Sequence, residues 1–89
     1  MTNHNIENHC RICGFEYDEP PWGIDGETPL FQICPCCGGE FGYHDCNIEP
    51  IRKYRSEWIV KGAKWFKPDV QPVNWNFFSQ IKNIPKKWV

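Results

Sequence analysis

Two Cys-x-x-Cys turns, Cys10-Arg11-Ile12-Cys13 followed by Gly14 and Cys34-Pro35-Cys36-Cys37 followed by Gly38, bracket twenty residues of a chain only 89 long. Each turn aims two sulfurs at one point, and two such corners facing each other make a tetrahedral four-thiolate metal site. Glycine after the second sulfur can take the positive φ that bends backbone N–H groups back towards the thiolates. The spacing therefore names Cys10, Cys13, Cys34 and Cys37 as metal ligands, with one zinc ion per chain expected and iron as the alternative.

The two turns also read as copies of one element. Gly14-Phe15-Glu16-Tyr17-Asp18 follows the first and Gly38-Gly39-Glu40-Phe41 the second, with Tyr43 and Asp45 just beyond. In both copies a glycine follows the last sulfur, a glutamate comes three residues after it and an aromatic four after it. Such an internal repeat predicts two similar hairpins related by a rough two-fold about the metal.

A chain of this length forms one domain and buries a modest core, so a metal staple is apt. Trp22, Trp58, Trp65, Trp75 and Trp88 supply large apolar areas for it. Six cysteines could instead make a disulfide framework in a secreted protein. The start, Met1-Thr2-Asn3-His4-Asn5-Ile6, has no basic segment followed by an apolar run. A reduced, cytoplasmic, soluble protein is expected, with no membrane span.

Charge divides the chain. Residues 1–49 carry Arg11 alone against nine acids, a net −8, and residues 50–89 carry nine bases against Glu57 and Asp69, a net +7. The two halves are expected to attract and dock. The alternative turns the basic half, with Lys61, Lys64 and Lys67 interleaved with Trp65 and Phe66, towards nucleic acid.

Along the chain, residues 1–8 carry no pattern and predict a flexible arm. Residues 9–46 hold the metal turns, with Pro20-Pro21-Trp22-Gly23 and Asp25-Gly26 as breakers and Phe31-Gln32-Ile33 as a strand leading into the second turn. Residues 47–89 are helical. Ile48, Ile51, Tyr54, Trp58 and Ile59 share a face, with Asn47 as N-cap, Pro50 in the first turn and Gly62 as the stop. Asn74 opens a shorter helix in which Trp75, Phe78 and Ile81 share a face, ended by Pro85. Trp58, Ile59, Trp75 and Phe78 are expected in the core.

Cys10-x-x-Cys13-Gly14-Phe15-x-Tyr17-Asp18 and Cys34-Pro35-x-Cys37-Gly38 resemble the two knuckles of rubredoxin-like proteins and related zinc ribbons over residues 9–42. Pro20-Pro21-Trp22-Gly23, Glu40-Phe41-Gly42-Tyr43 and the tryptophan-rich tail are similar to small uncharacterised bacterial proteins. The resemblance implies a small α+β fold, a rubredoxin-like β zinc ribbon followed by two short packed helices, with its ligands on Cys10, Cys13, Cys34 and Cys37. It departs from rubredoxins in its shorter inter-knuckle loop, its helical continuation and the spare thiol of Cys36.

Four thiolates leave a metal no open position, so the expected ion is structural and no enzymatic activity is expected. Cys36 and Cys46 read as small buried hydrophobes. His44 with Cys46 lacks an orienting group, His9 lies just outside its knuckle, and Glu16 and Glu40 read as solvated hairpin positions. The function expected is a protein-interaction module, an adaptor or immunity-type role, with Trp65 and Phe66 at the contact surface. Its rivals are a rubredoxin-like iron electron carrier and a nucleic-acid-binding ribbon.

Overall fold

Two backbone turns in the same register organise the molecule, for which a computed structural model describes residues 6–89. In the first, Gly14 N donates to Cys10 O (2.9 Å), Cys10 N to Phe15 O (2.8 Å) and Tyr17 N to Asn8 O (2.7 Å). In the second, Gly38 N donates to Cys34 O, Cys34 N to Gly39 O and Phe41 N to Gln32 O, each at 2.9 Å. Every bond of the first turn recurs 24 residues later. Gly14 and Gly38 take φ of 84° and 81°, where a Cβ would be strained. The repeat read in the sequence is thus a repeat of backbone hydrogen bonds.

The β zinc ribbon does not form. Among the described residues there is no β-strand and no sheet, only the isolated antiparallel bridges His9↔Glu16 and Ile33↔Glu40. The expected α+β architecture is replaced by metal-type turns, irregular chain and short helices. A ladder needs consecutive extended residues on both sides, and the chain denies them. Phe31 has φ of 56°, in the left-handed region, so the Phe31-Gln32-Ile33 alternation cannot continue as a strand. Beyond Phe41 the chain turns at once, with Tyr43 N and His44 N both donating to Glu40 O.

Helix α1 spans Ile48–Val60. Its N-cap is Asn47, whose side chain makes no capping bond, and Glu49 sits in the first turn where the helix dipole favours an acid. Gly62 N closes the end on Ile59 O with φ of 102°. Ile51 and Trp58 are buried with Tyr54 half-buried between them, whereas Ile59 is exposed at the edge of that stripe. Helix α2 spans Phe77–Ile81, later than the sequence suggested, because Asn76 rather than Asn74 caps it by accepting from Ser79 N at 3.0 Å. That shift turns Phe77 and Gln80 inwards and Phe78 out, 72% exposed. Trp75 stays half-buried just ahead of the helix. Short 3-10 turns lie at Pro68–Val70, ahead of α2, and at Lys86–Trp88, after it. Among the described residues no helix is long and apolar enough to cross a membrane.

One core draws on both halves of the chain: Cys10, Ile12, Cys13, Cys34, Cys36, Cys37 and Phe41 meet Ile51, Trp58 and Trp65. Edge-to-face rings run through it, from Phe41 to Tyr17 (5.2 Å), Phe15 (5.0 Å), Trp65 (5.5 Å) and Trp75 (5.5 Å). Opposite side-chain charges contribute little to this docking. Among the described residues, the one ion pair joining the acidic and basic halves is Lys87 with Glu7, at 3.9 Å. The Arg55 guanidinium instead donates to three backbone carbonyls, Ile12 (2.6 Å), Arg11 (2.8 Å) and Trp88 (2.6 Å).

Of the arm expected over residues 1–8, residues 1–5 lie outside the described residues, and Glu7 is held at a second junction. Arg11, 4% exposed, lies between the rings of Trp22 (3.9 Å) and Trp88 (4.1 Å). Its Nε donates to Glu7 Oε1 at 3.0 Å, and Trp88 Nε1 donates to Glu7 Oε2 at 2.9 Å. Asp45, fully buried, accepts from Trp22 Nε1 (2.8 Å) and Gly42 N (2.7 Å). Removing the cation takes the donor from Glu7 Oε1 and the charge from two indole faces, leaving Glu7 only its Oε2 contacts with Trp88 and Lys87. Arg11→Ala should lower the unfolding free energy by about 3 kcal/mol in urea titrations of the full chain. Arg11→Lys should recover only part of it, because an ammonium cannot lie flat between two rings.

Candidate metal centre

The two turns face each other and bring four sulfurs together. Cys10, Cys13 and Cys34 are 0% exposed and Cys37 is 6%. Their Sγ atoms all lie within 4.8 Å of one another and could hold a metal ion. Cys10 to Cys37 is 3.8 Å and Cys13 to Cys34 is 3.7 Å. A tetrahedron with metal–sulfur bonds of about 2.3 Å has edges of about 3.8 Å, so these separations suit a tetrahedral thiophilic ion. The donor set fits as well: four soft thiolates and no competing carboxylate within the group.

The thiols do not titrate alike. Burial, followed by the neighbouring Cys10, Cys34, Cys36 and Cys37, pushes the Cys13 thiol well up. At Cys34 burial also acts upwards, but the neighbouring Cys10, Cys13, Cys37 and Tyr17 groups push the thiol down. Cys34 is thus the more readily ionised sulfur while Cys13 and Cys37 resist ionisation, and a bound dication would favour the thiolate form throughout. Gly39 N donates to Cys37 Sγ at 3.4 Å. The Tyr17 hydroxyl is buried without a well-formed hydrogen bond, yet lies close enough to Cys34 to act on its thiol. Burial, then Cys34, drives the Tyr17 phenol strongly upwards, so it stays a donor beside the sulfurs.

The C-terminal half closes over both turns. Phe66 N donates to Cys36 O and Lys67 N to Pro35 O, each at 2.9 Å, and Tyr54 Oη donates to Cys37 O at 3.1 Å. At the first turn, Gln80 Nε2 donates to Cys13 O at 3.2 Å. The two glycines thus serve a second purpose besides positive φ. A Cβ at Gly14 would overlap the Gln80 carbonyl and stand 3.2 Å from Ile84 N. A Cβ at Gly38 would meet side chains, Phe66 Cδ1 at 3.1 Å and Tyr54 Oη at 3.3 Å.

The remaining candidates fall elsewhere. Cys36 is fully buried and accepts from Gln80 Nε2 at 3.3 Å, outside the group of four. Cys46, expected to be buried, is exposed and donates to Gly42 O at 3.2 Å. His44 Nδ1 accepts from Glu40 N at 2.9 Å, so both members of the His44 and Cys46 pair are engaged with backbone groups. His9 and Glu16 bridge each other's backbone beside the first turn, with Glu16 exposed and Glu40 half-buried at the equivalent place. Sequence reasoning missed Gln80 and Arg55. Gln80 lies 67 residues from Cys13, and no local pattern marks it.

Relatives share much of this sequence. The chain is 35% identical over 79 residues to the uncharacterised protein YozI of Bacillus subtilis, covering 71% of this chain and 65% of YozI. It is 32% identical over 78 residues to the uncharacterised protein YoaQ of the same organism, covering 71% of this chain and 66% of YoaQ. The chain spans slightly less than two thirds of the length of these relatives. No family model matches it, so the likeness to rubredoxin-like ribbons rests on the two knuckles alone. No solved structure matches it either.

The unequal surroundings of the two glycines give a graded test. Both replacements by alanine carry the left-handed penalty of roughly 1–2 kcal/mol. Gly14→Ala must also displace backbone, whereas Gly38→Ala needs only side chains to give way. Denaturation of the two variants side by side should find Gly14→Ala costlier by about 2 kcal/mol.

Proposed function

We propose that Cys10, Cys13, Cys34 and Cys37 bind one zinc ion and that the ion is structural, joining the two turns into a platform on which the C-terminal half docks. The observation that carries this reading is four mutually close sulfurs, at most 6% exposed, beneath a cover of backbone and aromatic rings. Four protein thiolates complete a tetrahedron and leave no position for substrate, the arrangement of a staple rather than a catalyst. The same burial favours zinc over an electron-carrying iron, since an electron carrier needs its site near a partner. Metal binding in isolated finger peptides is worth about 10–16 kcal/mol. A domain's whole stability is about 5–15 kcal/mol, so the ion can decide whether this chain folds. Thiolate ligands must stay reduced, which suits the cytoplasm.

Elemental analysis after aerobic purification should find close to one zinc per chain, and Cys13→Ser should lose it together with the cooperative unfolding transition. A red protein with visible absorbance would support the iron alternative instead.

For its role, the reading is a protein-interaction module. Phe66 (54% exposed), Val70 (51%) and Val73 (100%) lie in the same exposed stretch of chain as Lys61, Lys64 and Lys67. Apolar groups rimmed by cations suit contact with another protein. Trp65, also expected at that surface, is 6% exposed and belongs to the core. Val73→Glu should leave folding unchanged while weakening capture of a specific partner from lysate at least about tenfold. Undiminished capture would remove this surface from the reading.

A further inference from the structure

We propose that Gln80 determines which of two adjacent cysteines completes the metal site, holding Cys36 aside so that Cys37 is the fourth ligand. This rests on the metal reading above. Cys36 and Cys37 are consecutive and both buried, and five thiols compete for four positions. Cys36 lies in the same buried cluster as the four sulfurs. A buried rival thiol therefore stands one residue from the ligand that spacing selects.

The orientation of Gln80 is fixed from behind. Trp75 Nε1 donates to Gln80 Oε1 at 2.7 Å, and an indole N–H can only donate. The amide oxygen must therefore face Trp75 and the NH2 must face the turns. From there Nε2 donates to Cys13 O at 3.2 Å and to Cys36 Sγ at 3.3 Å. The bond holds the Cys36 sulfur towards Gln80, in an orientation that leaves it outside the group of four. Cys37 Sγ receives its N–H from Gly39 within its own turn, a contact compatible with its position among the four. Helix α2 thus does more than cover the site: through one amide it separates a ligand from its neighbour.

Without that amide, ligand exchange is open to the chain. The Cys36 thiol forms a metal–sulfur bond as the Cys37 bond breaks, and the Cys36 proton passes to the displaced Cys37 thiolate. Charge and coordination number are unchanged. Gln80 is in this sense a positioning residue that suppresses a second coordination isomer.

The test uses the full chain loaded with cobalt(II), whose visible ligand-field bands report coordination, followed by transfer of the ion to a chelator. Gln80→Glu replaces the NH2 by an acceptor at nearly constant shape. It should add a second spectral component and speed transfer about fivefold to tenfold, the scale of one hydrogen bond. Trp75→Phe, which keeps a ring and frees the amide to turn, should act in the same direction. Both effects should vanish in a Cys36→Ala background, which alone should leave spectrum and rate as in the parent. An equal effect of Gln80→Glu with and without Cys36→Ala would show that Gln80 merely anchors α2, and would overturn the proposal. So would a parent-like spectrum and rate in both variants. Failure of the parent chain to take up one cobalt ion would overturn the metal reading itself, and this inference with it.

Discussion

Four buried sulfurs within a few ångströms of one another cannot all ionise unless something positive sits among them, and the rest of this structure is arranged around that cluster. Each turn satisfies its own backbone internally, which frees the thiols to converge without a sheet to carry them. Glycines at positive φ keep the turns tight and leave room for other backbone to come down upon them. The C-terminal half then seals the site by donating N–H, hydroxyl and guanidinium groups to the carbonyls that the turns leave outward.

Local geometry explains how far the sequence could be read. Cys10, Cys13, Cys34 and Cys37 announce themselves by spacing within three-residue intervals, and the recurrence of glycine, glutamate and aromatic after each pair maps onto equivalent hydrogen bonds. Helix α1 was legible because Ile51, Tyr54 and Trp58 repeat at helical spacing over about two turns. The short α2 was not, since two asparagines, Asn74 and Asn76, could each cap it and only the second does. The β ribbon was misread because alternation at Phe31-Gln32-Ile33 says nothing of the left-handed φ that interrupts it. Gln80, Arg55 and the clasp of Trp88 on Arg11 act across long sequence separations, where neither periodicity nor motif leaves a trace.

Opposite net charge in the two halves invites an electrostatic account of their docking, but the contacts describe something more directional. Arg55 spends its guanidinium on peptide carbonyls, and Arg11 is held by ring faces as well as by Glu7. Such contacts are short-ranged and geometrically selective, so they fix one arrangement where diffuse attraction would permit many. Most of the formal charge remains at the surface, where it influences encounter with other molecules rather than the fold.

The long separation between the sulfurs and their cover has a consequence for how the molecule is assembled. All four sulfurs lie within the first 37 residues, while the groups that close over them, from Tyr54 to Gln80, follow later in the chain. On a ribosome the turns emerge first, open to water and able to capture an ion before any cover exists. On the zinc reading the later half would fold onto a loaded centre, and its contacts, reaching 67 residues back to Cys13, are among the slowest to close. An ion bound at that stage would be enclosed by the very chain that follows it out, so that synthesis would lengthen its residence time as well as set its affinity.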